Sequence, residues 1–300
     1  MNINALMKTG IKTLLLGLLL PVMASAQTFD RVKEGADFRI GYVKNATPFS
    51  SKGAGDQPEG YSIDLCLRIA GALKEELGLQ DLDIDFTATN VEDGLNKLAG
   101  GDVDILCGSI TSTLARRAKV SFSIPIFNGG IGALIRDDAP VTLTRVLQGQ
   151  VARTGPTWRA TINQGLVNQT FAVHEGTVTE EWVRKQIANL RVTAKIVTVK
   201  EHQEGVDMVA EGKADAYFAD RPILVSYASG ADDNLSVVDR YFNYEQIALA
   251  LPRGDEDLRI LADTVLSELY LSGDIEGVYE AYFEEMPVEA LQFFEAFALP

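Results

Sequence analysis

Two distant stretches of the chain share one pattern. Gly94-Leu-Asn-Lys-Leu-Ala-Gly-Gly-Asp-Val-Asp104-Ile matches Gly205-Val-Asp-Met-Val-Ala-Glu-Gly-Lys-Ala-Asp215-Ala, each a helix that stops at glycine and turns into a strand. A repeated helix-to-strand unit predicts two similar α/β lobes, and a chain of 300 residues is long enough for each lobe to bury a core. The copies end in opposite chemistries. The first strand runs out into Gly108-Ser109 and a hydroxyl-rich turn; the second, Ala216-Tyr217-Phe218-Ala219, runs into Asp220. Open α/β sheets bind ligands beyond the carboxyl ends of their strands, which is where these groups fall.

The turn after the first copy carries Ser109, Thr111 and Thr113, then Arg116 and Arg117 at a helix start. Two readings fit it. Hydroxyls and free amides at a helix N-terminus can donate to an anion that an arginine then grips in a two-pronged bond. An ordinary Ser/Thr cap followed by solvated basic residues fits as well. Asp220 is open in the same way, as a carboxylate for a cation or as a turn residue beside Arg221.

The spacing Ser109-x-Thr111-x4-Arg116-x5-Phe122-Ser123-x-Pro125 resembles the ligand segment of the family 3 extracellular solute-binding proteins, which serve ABC importers of amino acids. Gly60-Tyr61-Ser62-Ile63-Asp64-Leu65-Cys66 resembles that family's second signature, with Ser62 where an acidic residue is common. The likeness extends to about Gly273. It implies the type II periplasmic-binding-protein fold: two α/β lobes, each a mostly parallel sheet flanked by helices, joined by two hinge crossings. It also implies roles. Arg116 would hold a ligand carboxylate with help from Ser109 and Thr111, Asp220 would hold the ammonium, and Gly176, Thr177 and Val178 of Glu175-Gly-Thr-Val-Thr-Glu180 would add amides or hydroxyls. A free amino acid is a zwitterion, and an arginine on one lobe with an aspartate on the other would compensate both of its charges only when the lobes close.

Within that family the chain looks closest to the glutamate/aspartate-type branch, through Cys107-Gly-Ser-Ile-Thr. The positions where that branch can place arginines for a side-chain carboxylate align with Val43 and Gly94, so a neutral or polar amino acid is expected instead. Phe49, in the loop Lys44–Pro58, is expected either at the pocket wall or packed on its own lobe.

Lys8 and Lys12, the apolar run Leu14–Val22 and Ala24-Ser25-Ala26 have the layout of a secretory signal peptide, so residues 1–26 are set aside from the fold. The expected product is a periplasmic monomer. Its net charge is more negative than the −15 of the full sequence, because the leader holds two lysines and no acid. Such a chain repels nucleic acid. Cys66 and Cys107 are the only cysteines, and in an oxidising compartment they are either bonded or two separate buried thiols. Two cysteines, His174 and His202 stand too far apart in sequence for a metal site, and no cofactor is expected.

Strands are expected over Phe38–Val43, Leu82–Thr89, Thr170–His174 and Ile247–Pro252, and helices over Ser62–Leu77 and Glu256–Leu271. Asn128-Gly-Gly-Ile-Gly132 and the approach to Ile247 resemble the two hinge crossings, which places lobe 1 at 27–129 plus 247–300 and lobe 2 at 130–246. The aromatic tail Pro287–Pro300 is expected to pack as a terminal helix on lobe 1, a partner-docking role being the alternative. The function implied is capture of an amino acid by hinge closure for an ABC permease. Two others share the fold's reach: a periplasmic dehydratase-like enzyme, and a soluble sensor for a membrane receptor. No G-x-S-x-G, H-E-x-x-H or P-loop supports the enzyme. His174 reads as packed or solvent-facing rather than as a catalyst.

Overall fold

The computed structural model describes residues 27–150, 163–230 and 234–300, so the leader expected at 1–26 lies outside the described residues. In chain order the strands are β1 (Phe38–Val43), β2 (Ser51–Lys52), β3 (Pro58–Glu59), β4 (Ile84–Thr89), β5 (Ile105–Cys107), β6 (Ser121–Arg136), β7 (Thr170–His174), β8 (Lys195–Val199), β9 (Ala216–Asp220), β10 (Leu235–Val237) and β11 (Tyr244–Leu251). Apart from the small β2–β3 ribbon they pair in the order β4-β1-β5-β11-β6-β9-β7-β8, with β10 also on β6. On one side β4, β1 and β5 run parallel and β11 returns antiparallel; on the other, β8, β7 and β9 run parallel and β6 is antiparallel to β9. This is the two-lobed α/β architecture expected.

The repeat does the same work in both lobes. A Cβ on Gly94 would stand 2.7 Å from Leu106 Cδ1, and one on Gly205 would stand 2.5 Å from the Tyr217 ring, so each glycine lets a helix lie directly on a strand. Gly101 (φ +79°) and Gly212 (φ +70°) then end those helices in the left-handed region that glycine enters at least cost. The aspartates of the repeat tie the new strand to its neighbour. Asp104 accepts from the Arg39 amide at 2.8 Å and Asp215 from the Thr170 amide at 2.7 Å, while their own amides donate to the carbonyls of the same two residues.

β1 and β5 read as apolar runs because helices cover them: Tyr61–Glu76 and Val91–Gly100 both pack there, and Phe38, Ile40, Ile105 and Leu106 are fully buried. Cys66 and Cys107 are joined as a disulfide, their Cα atoms 6.6 Å apart, which fastens the first of these helices to the end of β5. β11 begins at Tyr244, earlier than alternation in the sequence suggests, because it stays paired with β6 as far as Gly130. β6 itself changes partner there: Gly130 is opposite Tyr244, and Ile131 is opposite Asp220. A Cβ on Gly130 would meet the Asn243 carbonyl oxygen at 2.4 Å, so close chain approach requires glycine at this crossing.

Phe49 is fully buried in an aromatic cluster with Tyr61, Phe127 and Phe283. Of its two expected places it takes the core, not the pocket wall, because the loop turns its ring inward beneath the helix that starts at Tyr61. The tail forms the expected terminal helix, Val288–Phe297, with Phe294 seated against Tyr270 and Tyr279. Among the described residues no helix is long and apolar enough to cross a membrane.

Candidate functional site

Register sets the geometry of the cleft. In lobe 1, Tyr42 is level with Cys107 and Val43 with Thr89, so the next residues, Lys44, Asn90 and Gly108-Ser109, emerge in a row along the carboxyl edge of the sheet. In lobe 2, His174 is level with Val199 and Val173 with Phe218, which puts Asp220, Glu175 and Lys200 in a second row. The rows face each other. Ser109 Oγ donates to Asp220 Oδ2 across the gap. Lys44 Nζ and Asn45 Nδ2 each donate to Glu201 at 2.8 Å, and the Tyr227 hydroxyl donates to the Asn45 carbonyl at 2.9 Å.

The cavity behind these bridges is lined by Ser109, Thr111, Arg116, Thr177, Val178 and Asp220, all singled out from sequence. Gly176 lies in the adjoining outer cavity, and Phe49 lines neither. Arg116 Nη1 donates to the Thr111 carbonyl at 2.9 Å, which holds the guanidinium at the turn. Its neighbour Arg117 leans away over the Phe122 ring. Likewise Arg221 reaches Asp239 at 3.4 Å and lies over Tyr241, leaving Asp220 to Ser109. Thr177 caps the helix Val178–Leu190, accepting from the Glu180 amide at 3.2 Å. Gly94 lines neither cavity. It is buried against Leu106, and from this segment Asn90 and Val91 face the cavity instead.

Charge in the cleft is finely opposed. Burial lowers the pKa of Arg116, countered by Glu245, Asp220 and Glu181, yet a guanidinium so perturbed stays cationic at neutral pH. Burial pushes Asp220 up to about 7; the Ser109 hydrogen bond and Arg116 pull it back, while Glu245 raises it further. An aspartate in this setting gains from a buried cation placed beside it. His202, held by Tyr217 at 2.6 Å, is driven down to about 3 by burial and by His174, so it is a neutral imidazole in the wall.

Sequence reasoning missed Lys44, Glu201 and His202, which line the cavity, and Glu245, which does not line it but accepts from Thr111. The carboxyl-end rule, applied to every strand and not only to the repeated pair, finds the first three, since Lys44 follows β1 and Glu201-His202 follow β8. Glu245 carries no such signal. It sits within β11, 7 % exposed, where it accepts from Thr111 Oγ1 at 2.7 Å. Among the described residues no group of three or more His, Cys, Asp or Glu side chains is placed to hold a metal.

Two α/β lobes, joined by paired strands and closing on a cleft with an arginine on one wall and a carboxylate on the other, define a type II solute-binding protein. The chain belongs to the bacterial extracellular solute-binding proteins, family 3, whose model matches residues 38–285. It is 26% identical over 286 residues to an L-glutamate/L-aspartate-binding protein of Pseudomonas aeruginosa, covering 94% of this chain and 88% of the relative. It is 23% identical to the L-cystine-binding protein TcyJ of Escherichia coli, over 93% of this chain and 95% of the relative. Among solved structures it is similar to the ancestral amino acid-binding protein AncCDT-1, described as a precursor of cyclohexadienyl dehydratase, at a TM-score of 0.69 and 26% identity, covering 86% of this chain and 100% of that one. The cysteine-binding protein of Campylobacter jejuni shares the fold at a TM-score of 0.69 and 20% identity, covering 86% of this chain and 93% of that one.

Proposed function

We propose that the protein captures a free amino acid between its lobes in the periplasm and presents the closed form to an ABC permease. One observation carries this reading: Arg116 and Asp220, on opposite walls, line a single cavity with the hydroxyls of Ser109 and Thr111 between them. An α-carboxylate on Arg116 and an α-ammonium on Asp220 would each find an opposite charge in a place where an unpaired ion is costly to bury. Ser109 and Thr111 at present donate to Asp220 and Glu245; a bound amino acid would enter between Ser109 and Asp220 and take over the bridge.

Of the lobe boundaries at 27–129 plus 247–300 and at 130–246, the one at 129/130 is supported by the change of partner along β6 at Gly130, while the one at 246/247 falls inside β11. Contacts made with both lobes only when they are shut give the ligand its preference for the closed state, and that difference drives closure. The reading is of a carrier rather than a catalyst, since the similar proteins named for an activity are named for binding. The secretory leader read at 1–26 belongs to the same proposal, as does a monomer as the working form.

The test is calorimetric titration of the purified protein with the common amino acids, beside a thermal-shift screen. Saturable binding with a rise in melting temperature is expected for a small related set, since a ligand that binds only the folded chain stabilises it by mass action. Silence across all amino acids would reject the proposal.

A further inference from the structure

We propose that Glu245, which does not line the cavity, is the positioning residue of its charged end: it holds the Thr111 proton and sets a buried negative charge where an α-ammonium is received. The proposal rests on the amino-acid reading above and gives a role to a residue that reading leaves unused.

Glu245 lies in β11 beside the crossing, opposite Gly129; Tyr244 and Gln246 on either side of it are exposed, and it is buried. A carboxylate turned inward from a strand is costly unless something holds it. Fastening the turn at 110–112 does not require one. The Ser112 amide donates to the Gln246 carbonyl at 2.9 Å and the Ala248 amide to the Ile110 carbonyl at 3.1 Å, so backbone bonds secure that turn to β11 on both sides of Thr111. An uncharged side chain at 245 would serve the fold as well.

Its hydrogen bonding is one-sided. Oε2 accepts from Thr111 Oγ1 at 2.7 Å, while Oε1 is buried and meets no donor among the described residues. An ionised carboxylate can only accept, so Thr111 is the donor, and turning its proton away would leave both oxygens of a buried anion bare. A hydroxyl has one proton. With it committed to Glu245, Thr111 presents only lone pairs to the cavity, where they suit an N–H donor and oppose a carboxylate. Ser109 differs, because its proton goes to Asp220 on the other wall and an ammonium arriving at Asp220 would release it. The two hydroxyls thus divide between the ends of a zwitterion: Ser109 for the carboxylate beside Arg116, Thr111 for the ammonium.

Charge points the same way. Burial lowers the pKa of Arg116, and Glu245 is the foremost of the carboxylates that oppose this. Burial raises that of Asp220, and Glu245 adds to the rise. One anion therefore acts on both walls. Asp220 and Glu245 together outnumber the Arg116 guanidinium, an imbalance that a cationic group beside Asp220 offsets.

The experiment titrates the purified protein with the common L-amino acids and, by competition, with the 2-hydroxy acid of each one that binds, L-lactate beside L-alanine being one such pair. The two members of a pair differ only in the group offered to Asp220. In Glu245→Met, which keeps the length of the side chain and removes its charge and its acceptor, we expect the ratio of amino-acid to hydroxy-acid affinity to fall at least tenfold. Glu245→Gln loses the charge alone and should lower the ratio at least threefold; it decides the matter if Glu245→Met does not fold. A folded variant that binds both members more weakly by the same factor, its ratio unchanged, would overturn the proposal, reduce Glu245 to packing and leave the amino-acid reading standing. If no amino acid binds the parent protein, that reading itself fails and this proposal falls with it.

Discussion

Ser109 on one wall of the cleft donates its hydroxyl to Asp220 on the other, so the residue read as the ammonium's partner is already bridged to the opposite lobe. With Asp220 held at about 7, a bound ammonium needs it ionised, and below that pH binding must expel a proton. Affinity is therefore expected to fall roughly tenfold per pH unit below 7 and to level off above it. Titrations at pH 5.5 and 7.5 in buffers of different ionisation enthalpy read the proton directly; Asp220→Asn should remove the slope, and a slope that survives would locate the titration elsewhere.

The same shift has the opposite sign for the unliganded fold. A carboxyl whose folded pKa lies above its ordinary value contributes stability that is complete at acid pH and lost as pH rises through about 7. Denaturant midpoints measured from pH 5 to 8 should fall less in Asp220→Asn than in the parent protein.

Arg116→Ala is expected to weaken amino-acid binding by at least 2 kcal/mol, about thirtyfold, with the melting temperature of the unliganded protein nearly unchanged. Calorimetry beside thermal denaturation separates the two effects. Arg117→Ala, whose guanidinium lies over Phe122, should leave affinity within a few fold.

The Cys66–Cys107 disulfide closes a loop with a sequence separation of 41, which in the chain-entropy account stabilises by about 4 kcal/mol. The double serine variant should lose most of that in equilibrium unfolding. Since Cys107 lies two residues before Ser109, its ligand affinity should fall as well. Parent-like unfolding of the double variant would show that packing alone fixes the helix to β5.

Phe49→Ala should cost about 3–5 kcal/mol of stability by opening a cavity among Tyr61, Phe127 and Phe283. Its ligand affinity, measured well below the lowered melting temperature, should match the parent. A selective loss of affinity would return Phe49 to the pocket wall.

Much of the architecture was legible because the repeat pins it. Gly94 and Gly205, Gly101 and Gly212, and Asp104 and Asp215 occupy equivalent posts, and such posts leave a pattern that a sequence displays. The cleft was legible where it followed from that pattern, at Ser109 and Asp220. It was illegible where the deciding fact is which residue stands level with which. Nothing local in Lys44 says that it reaches Glu201 across the cleft. Phe49 was ambiguous for a related reason: sequence gives a position along the chain, and only packing gives the direction in which it faces.

The 16 residues of β6 have one further consequence. A single strand that is hydrogen-bonded to β11 below Gly130 and to β9 above it cannot let the two halves of the sheet slide apart without breaking backbone bonds. It can twist. In the closure proposed above the strand would serve as a torsion bar, and a small turn at Gly130, enough to part Ser109 from Asp220, would become a far larger arc at the outer faces of the molecule. An observer touching only that perimeter could tell an occupied cleft from a vacant one without contacting a single ligand atom.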